Sequence, residues 1–417
     1  MSPLGFAILG AGLFARDAHL PGLGALGPEQ VALKAVYSRS KSSASSLSEL
    51  AKEKLGLNEV VSVYDDEGPK EEGLDALLAR SDIQAVIVVL PLTQQPDIVL
   101  RALAAGKNVL SEKVDGVSMR DCMLILIWSV TKPVAKDVKT GLALIEKWEK
   151  EFKPKGLIWR VAEQFEVEPA YVEAARKIKA GAIGEVRSFN YSVMNSTDKS
   201  SQWYNTAWRT VPEYQGGFVL DGGVHNAAAL RLILPFSLAT STLSGFASLT
   251  REYLAPHDTV QAVIQADPAS TKGAHPPHGV FELSFSAPAG LSRNFLTIIG
   301  TEGYMTITNI PKAPAEKDLH LAKAAPFAKK GASGEYNVTH IRVTVRRGDG
   351  GHQVDEVDTI ACGVVTEIER FVKAINGQDD GSGNPRGALQ DVAIIQACLQ
   401  SEGQPVELKK LLSTGDI

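Results

Sequence analysis

The chain opens with the apolar run Leu4-Gly5-Phe6-Ala7-Ile8-Leu9, which leads directly into Gly10-Ala11-Gly12-Leu13-Phe14-Ala15. The first stretch is typical of a buried strand, and the second has the Gly-x-Gly-x-x-Ala pattern of a turn that opens a helix. Gly10 permits the tight turn, Gly12 lets the backbone approach a pyrophosphate, and Ala15 allows close packing of helix on strand. The pyrophosphate then lies at the positive end of the helix. The stretch therefore predicts a dinucleotide-binding turn.

Short β-branched runs alternate with helical patterns over about the first 112 residues, which predicts a parallel sheet covered by helices. A further helix at 137–151 and a strand at 157–161 complete this unit. We therefore predict an α/β protein whose residues 1–162 form a Rossmann domain with a doubly wound parallel sheet. The other predicted strands are 4–9, 31–37, 60–64, 85–90 and 108–110, and the helices between them are 13–25, 41–55, 72–80 and 95–105.

Residues 163–417 have a different pattern and are predicted to form a C-terminal α/β domain that binds substrate. A helix at 170–180 is followed by long alternating strands, whose spacing predicts a large, mostly antiparallel sheet. The stretch 311–335 is interpreted as a loop, and 376–386 as a polar loop between two C-terminal helices. The predicted strands are 185–195, 240–250, 258–266, 278–286, 292–299 and 303–308.

The composition is that of a globular protein and excludes several other classes. Charged residues are 22% and hydrophobic residues 44% of the 417 residues, so neither a disordered nor a fibrous chain is indicated. A net charge of -5 gives no electrostatic footprint for nucleic acid. Cys122, Cys362 and Cys398 are too scattered for a disulfide framework or a zinc site, and we expect no metal. Without a signal peptide or an apolar span of about 18 residues, we expect a cytoplasmic protein and no membrane partner.

The end of the second predicted strand decides which dinucleotide is bound. An acid there accepts hydrogen bonds from a free ribose 2′-hydroxyl, whereas a basic side chain accommodates a 2′-phosphate. The chain has Ser38-Arg39-Ser40-Lys41 at this point and no acid, so NADP is favoured and NAD is the alternative. The other interpretation is that both charges are solvated and simply begin a helix. The predicted cofactor contacts are Gly10, Gly12, Leu13, Phe14, Ala15, Ser38, Arg39, Lys41, Leu90, Glu112 and Lys113.

A second cluster of polar residues lies in the segment Gly216–Asn226, where Asp221 and His225 are four residues apart. On a helix the two side chains share one face. An imidazole carries protons near neutral pH, and a nearby carboxylate can fix its tautomer and orientation. Taken alone, Asp221 could equally be a helix N-cap and His225 a surface histidine. Other motifs favour the catalytic interpretation.

The motifs of the chain occur in the order seen in one enzyme family. Over nearly its whole length the chain resembles the Gfo/Idh/MocA oxidoreductases. Within that family it is most similar to fungal NADP-dependent members, through Phe14–Asp17 with His19–Pro21, and through Trp208-Arg209 followed by Pro212-Glu213. The motifs that carry the family resemblance are the glycine fingerprint, Glu112-Lys113, Glu168-Pro169-Ala170, Gly181-Ala182-Ile183-Gly184 and Asp221-Gly222-Gly223-Val224-His225.

The resemblance implies a Rossmann domain joined to a domain with an open antiparallel sheet, commonly used for dimerisation. It also implies that Lys113, Asp221 and His225 are the catalytic residues. We expect reversible hydride transfer between the nicotinamide and a sugar, polyol or small carbonyl substrate. In this scheme His225 moves the hydroxyl proton, Lys113 stabilises alkoxide character, and Asp221 orients the histidine or a substrate hydroxyl.

Two features leave the substrate and the function class open. The family often has an acid where this chain has Ala228 and an Asn where it has Gln164, so the substrate class is not defined. The competing function is a non-enzymatic NADP sensor that acts through a protein partner, since fold does not settle function. The catalytic residues favour the enzyme, because a sensor has no use for a proton carrier. The predicted substrate contacts are Gln164, Tyr204, Trp208 and Arg209, each of which could instead serve packing.

Residues 114–132 look foreign to the family pattern. The family reads Glu-Lys-Pro, whereas here Glu112-Lys113 is followed by Val114, and Pro133-Val134-Ala135 comes 19 residues later. Valine and lysine codons at the two borders are compatible with the ends of a translated in-frame intron. The alternative is a real insertion that folds at the mouth of the site. We predict that a chain joining Lys113 to Pro133 is more stable and more active, because a proline would fix the lysine turn.

Overall fold

The computed structural model describes two sheets and the helices that cover them. Lys113, Trp208, Arg209 and the predicted insertion at 114–132 lie outside the described residues. In the described part, no helix is long and apolar enough to span a membrane. The described residues are 2–91, 94–112, 134–200, 204, 215–270, 275–325, 329–330, 336–348 and 352–417.

The first sheet is parallel, and its strands have the order β3-β2-β1-β4-β5-β6. The strand order reverses between β1 and β4, and in such sheets ligands bind in the crevice at this switch point. β1 is buried at almost every position, as expected for a strand with helices on both faces. The strands are β1 Leu4–Leu9, β2 Val31–Tyr37, β3 Ser62–Tyr64, β4 Ala85–Val88, β5 Asn108–Ser111 and β6 Trp159–Val161.

The helix after the glycine turn is irregular. The chain is helical from Leu13, but the turn Ala15–His19 is a π-helix, and a regular α-helix follows from Leu20. The sequence predicts one uninterrupted α-helix here, because the extra residue of a π-turn leaves no local signature. The helices around the first sheet are α1 Leu20–Leu26, α2 Lys41–Leu55, α3 Leu74–Leu78, α4 Gln95–Ala104 and α5 Val138–Glu151.

The second sheet is larger and mostly antiparallel, with the order β13-β14-β12-β11-β7-β10-β9-β8-β16 and β15 paired to β14. One pair, β7 with β10, is parallel. One face of this sheet is buried under helices and the other is open. Its strands are β7 Val186–Met194, β8 Thr242–Ser248, β9 Thr259–Gln265, β10 His278–Ser284, β11 Arg293–Gly300, β12 Gly303–Lys312, β13 Lys329–Lys330, β14 Tyr336–Arg347, β15 Gln353–Ile360 and β16 Val406–Glu407.

The helices of the second half connect the two sheets. Helix α10 packs into the core of the first sheet, where Phe371 meets Phe6 edge to face with ring centroids 6.2 Å apart. A helix from the C-terminal part of the chain therefore completes the hydrophobic core of the first sheet. The domain boundary between residues 162 and 163 stays a prediction. These helices are α6 Gln164–Val167, α7 Pro169–Lys179, α8 Gly217–Ile233, α9 Leu319–Ala324, α10 Gly363–Ile375, α11 Pro385–Gln400 and α12 Leu408–Thr414.

The predicted fold class is confirmed: a doubly wound parallel sheet is followed by a large, mostly antiparallel one. One stretch differs from its prediction. Residues 311–335 are not simply a loop, because the stretch contains α9, and Leu321 of α9 packs on the hydrophobic core of the first sheet. Alanine and lysine recur in this stretch without a clear helical period, so the sequence pattern did not indicate α9. Strands β14 and β15, which extend the second sheet, were not predicted either.

Candidate active site

The glycine turn has the geometry that a dinucleotide requires. Gly10 has φ +118°, and a Cβ there would lie 1.9 Å from the carbonyl oxygen of Val89, so the position accepts glycine alone. The amide of Gly10 donates to the carbonyl of Tyr37 at 2.7 Å, which fixes the turn at the carboxyl ends of β1 and β2. The helix begins directly afterwards, with the amide of Arg16 on the carbonyl of Gly12. The residues present therefore fit a pyrophosphate at the helix start.

The π-turn places His19 beneath this crevice. Its Nε2 lies 2.9 Å from Oε1 of Glu112, and both side chains are fully buried. The Phe14 ring meets the imidazole edge to face with centroids 5.3 Å apart. Phe14, Leu13 and Ala15 are buried, so any contact they make with a cofactor comes mainly through their backbone. The hydrogen bond to Glu112 therefore fixes the position of the His19 imidazole.

The ribose corner contains both cations and carboxylates. Arg39 is exposed, and the described residues form no ion pair with it. Ser40 caps α2, its hydroxyl accepting from the amide of Ser43. The carboxylate of Glu67 accepts a hydrogen bond from the amide of Lys41 at 3.0 Å. Sequence analysis missed this acid because it follows β3 rather than β2. Glu67 therefore occupies the helix N-terminus, a position that favours anions.

Ser38 and Leu90 are two further predicted cofactor contacts, and their surroundings differ. Ser38 is half-buried, and its amide donates to the carbonyl of Tyr64. Leu90 is buried just beyond β4, and its carbonyl accepts from the side-chain amide of Gln95 at 2.9 Å. Both lie at the carboxyl edge of the first sheet, where the crevice opens.

Helix α8 carries Asp221 and His225 and is buried over most of its length. A Cβ at Gly222 would lie 2.6 Å from the Phe285 ring, and one at Gly223 would lie 2.7 Å from Leu283. The glycine pair therefore allows the helix to approach β10 closely. Both predicted catalytic side chains are fully buried, and Asp221 lies inside the helix. This excludes the two structural alternatives, because Asp221 is not the N-cap and His225 is not on the surface.

The residue that holds the imidazole is Glu163. Nδ1 of His225 lies 2.5 Å from Oε1 of Glu163, and both side chains are buried. The Phe165 ring covers the imidazole, with centroids 5.0 Å apart. Helical spacing predicted that Asp221 orients the imidazole of His225, and Glu163 was not predicted. The available signal was an acid just after β6, at the carboxyl edge where the other site residues lie.

The predicted substrate contacts are placed as follows. Gln164 is 3% exposed, and in the described part neither its side-chain oxygen nor its nitrogen has a hydrogen-bond partner. A buried amide without partners costs free energy, so it is a candidate for binding a polar ligand group. The Tyr204 ring packs edge to face on Tyr253, with centroids 5.4 Å apart.

A third carboxylate, Glu367 of α10, joins the two buried histidine pairs. Side-chain ligand atoms of Glu367, His19 and Glu112 lie within 4.8 Å of one another. The 2.9 Å separation of Nε2 of His19 and Oε1 of Glu112 is that of a hydrogen bond, and Glu367 lies beside this pair. Glu367 also lines a narrow cavity with Glu163. Sequence analysis gave no role to Glu367, because it is 142 positions beyond His225.

Glu168 fixes α10 in this arrangement. Its two carboxylate oxygens accept hydrogen bonds from the amides of Cys362 and Gly363, at 3.2 and 2.9 Å. These amides belong to the N-terminus of α10, which favours an anion. Burial nevertheless raises the pKa of Glu168 to about 7, against the effect of the two amides. The motif Glu168-Pro169-Ala170 thus connects α7 to the helix that carries Glu367.

Comparisons with known protein families agree with this architecture. A model described as the oxidoreductase family NAD-binding Rossmann fold matches residues 4–122. A second model, described as the oxidoreductase family C-terminal alpha/beta domain, matches residues 175–408. Together they include the glycine turn, the first five strands of the first sheet, the second sheet and helix α8.

Individual proteins show the same similarity. Dehydrogenase FPY6 of Fusarium mangiferae is 32% identical over 403 residues, which are 95% of this chain and 96% of that protein. An oxidoreductase from Thermotoga maritima has a TM-score of 0.71 at 24% identity, over 98% of this chain and 100% of that one. KijD10, a 3-ketoreductase from Actinomadura kijaniata solved with NADP and TDP-benzene, has a TM-score of 0.62 at 19% identity, over 95% and 97% of the chains.

Proposed function

Because this chain belongs to the Gfo/Idh/MocA oxidoreductase family, we propose that it is an NADP-preferring enzyme that oxidises a CH–OH group or reduces the matching carbonyl. The observation that carries the proposal is the buried pair of His225 and Glu163. The carboxylate holds the imidazole in one orientation and sets its tautomer, as a proton carrier requires.

The chain supplies orientation and proton handling. A bound nicotinamide supplies the hydride acceptor or donor. Nδ1 of His225 faces Glu163, so Nε2 is the ring nitrogen that would exchange a proton with the substrate oxygen. Lys113 would stabilise negative charge on that oxygen, and Asp221, one helical turn before His225, would hold a neighbouring substrate hydroxyl. These two roles follow from the family resemblance.

NADP is proposed on the basis of the ribose corner. The exposed guanidinium of Arg39 offers a charge-assisted contact to a 2′-phosphate. The negative charge of Glu67 would repel that phosphate, because the Glu67 carboxylate accepts a hydrogen bond from the amide of Lys41 at the start of α2. We propose that Glu67 turns away when the phosphate binds, so that NADP is preferred while NAD remains a usable alternative.

A sugar, polyol or small carbonyl compound is the proposed substrate class. The buried amide of Gln164 offers both a donor and an acceptor that lack partners in the described residues, as recognition of a hydroxyl requires. A cytoplasmic location is consistent with the two described cysteines, Cys362 and Cys398, which are buried and free.

A homodimer through the open face of the second sheet is the proposed assembly. Val263 and Val280 are cross-strand partners on this face and are 48% and 39% exposed, and Ile299 is 48% exposed. Exposed apolar side chains on one face of a sheet are suited to an interaction surface. Sedimentation should show a dimer for the unchanged protein and a monomer for Val263→Lys with Val280→Lys. A monomeric unchanged protein at micromolar concentration would contradict this.

The proposed activity is tested by a panel of sugars, polyols and small aldehydes with NADP(H) and NAD(H). Turnover is followed by the absorbance of the reduced nicotinamide. We expect turnover of at least one member, with NADP(H) more efficient than NAD(H). Tight NADP binding without turnover of any member, together with a protein partner whose binding depends on NADP, would favour the sensor instead.

A further inference from the structure

We propose that Glu163 accepts the proton of His225 and passes it, through a water in the neighbouring cavity, to solvent at the loop Ser382–Gly383. This relay rests on the proposed function, since it serves the proton that His225 takes from substrate. It would let the proton leave while cofactor and substrate fill the crevice. Glu163 is thereby a positioning residue that acts through His225.

The first step of the relay is defined by a short contact. The 2.5 Å separation of Nδ1 and Oε1 joins two buried side chains, and the Phe165 ring covers one face of the imidazole. A proton between two such atoms can move without any displacement of the chain. Burial also keeps bulk water away from the pair, so the proton needs another way out.

The cavity beside Glu163 offers that way. It has about 10 Å³ of water-accessible volume, and its lining includes Glu163, Glu367, Arg160, Ser382 and Gly383. A cavity with roughly 10 to 15 Å³ of water-accessible volume holds about one water molecule, and such a water needs two or more polar partners. The two carboxylates and the guanidinium supply these partners. Ser382 and Gly383 belong to the loop before α11, whose residues 377–381 are exposed, so the cavity leads toward the surface.

The charges around the pair set its proton balance. Arg160 is paired with Asp379 at the outer end of the cavity, and Arg231 is paired with Asp391 and Glu166. Buried carboxylates at this density favour retention of a shared proton. In the described part, the titratable or charged groups on elements packed around the pair are His19, Glu112, Arg160, Glu166, Glu168, Tyr171, Asp221, Arg231, Glu367 and Asp391.

The proton balance of the relay is closed. On oxidation the substrate C–H bond breaks and its electron pair leaves with the hydride, while the hydroxyl proton goes to Nε2 of His225. The Nδ1 proton then passes to Oε1 of Glu163, which leaves a neutral imidazole protonated at Nε2, and Glu163 gives its proton to the cavity water. After the product leaves, Nε2 gives its proton to water in the crevice and Nδ1 regains a proton through Glu163, so the starting tautomer returns and the net release is one proton. On reduction each transfer runs in reverse.

The link between Glu163 and His225 is tested without any substrate, by NMR of the full-length protein labelled with ¹⁵N-histidine. The His225 signal is identified as the one that His225→Asn removes. Glu163→Gln should lower the pH at which His225 loses its proton, because a carboxylate no longer stabilises the imidazolium. Glu185→Gln, at an exposed glutamate, serves as the matched control and should change nothing. An unchanged midpoint in Glu163→Gln would overturn the proposal.

The route through the cavity is tested by filling it. Val161 lines the cavity, and Val161→Ile adds one methylene without changing any charge. The exchange of the Nδ1 proton of His225 with water should slow several-fold. Val109→Ile on the neighbouring strand is the control, since Val109 is buried but does not line the cavity. Exchange at the unchanged rate in Val161→Ile would leave Glu163 as a purely positioning residue and overturn the relay.

The outcome also separates the relay from the proposed function. If the substrate panel fails while Glu163→Gln and Val161→Ile behave as expected, the proton path from His225 to solvent stands and the reaction assignment is wrong. If the panel gives turnover and both variants leave His225 unchanged, the reaction stands and the relay is wrong. Should Glu163→Gln fail to fold, Val161→Ile decides alone.

Discussion

The cofactor corner and the proton-handling centre of this protein are assembled in opposite ways. The cofactor corner consists of two short segments, residues 10–15 and 38–41, at the carboxyl edge of one sheet. The proton-handling centre joins Glu163, His225 and Glu367, which are far apart in sequence and buried. Local backbone rules are sufficient for the first, whereas the second exists only once helices from both halves have packed. The two regions should therefore respond differently to substitution.

The largest of three expected effects belongs to the packing that holds the buried centre. Burial raises the pKa of Glu168 to about 7 from an ordinary 4.5, so the unfolded chain releases this proton first as the pH rises. The contribution of Glu168 to stability is thus full below pH 4.5 and is lost as the pH rises to about 7. Relative to Glu168→Gln, the unfolding free energy of the unchanged protein should fall by roughly 2 to 4 kcal/mol over this window.

Chemical denaturation at several pH values measures this difference. Glu185→Gln, at an exposed glutamate, is the control and should follow the unchanged protein at every pH. A difference between the unchanged protein and Glu168→Gln that does not depend on pH would contradict the account of α10. Cofactor affinity should be similar in both, because Glu168 lies outside the cofactor corner.

A smaller effect is expected at the cofactor corner. Replacing Arg39 by Ala removes a charge-assisted contact worth on the order of 1.5 to 3 kcal/mol, so the preference for NADP over NAD should fall roughly ten- to a hundredfold. Stability should hardly change, since the side chain is exposed. Titration with both cofactors gives the ratio. Equal affinity of the unchanged protein for NADP and NAD would contradict the proposed role of Arg39.

The smallest effect concerns the acid that sequence analysis missed. Glu67→Gln removes a carboxylate from the N-terminus of α2 and should raise the NADP preference about two- to fivefold, since a charge there is worth about 0.3 to 1 kcal/mol. The same titration measures it, and the effect should shrink at high salt. A weaker NADP preference in this variant would show that Glu67 supports the phosphate site.

Predictability from sequence follows the same division. β2 and α2 are found at their predicted bounds, because strand period, the Ser40 cap and a C-terminal glycine are local signals. The pairing of Glu163 with His225 has one sequence signal, an acid just after β6, because Glu163 meets His225 only when α6 packs against α8. The π-turn that directs His19 to Glu112 likewise depends on tertiary packing. Helical spacing favoured Asp221 and gave no information on residues outside its helix.

If the buried His225 moves the proton of a nicotinamide-dependent reaction, its replacement by Asn should slow hydride transfer. Single-turnover absorbance of the reduced nicotinamide compares the unchanged protein with His225→Asn on a substrate from the panel. Loss of general acid–base help predicts a rate lower by about two to four orders of magnitude, with cofactor affinity nearly intact. A His225→Asn protein that transfers hydride at the full rate would contradict the account.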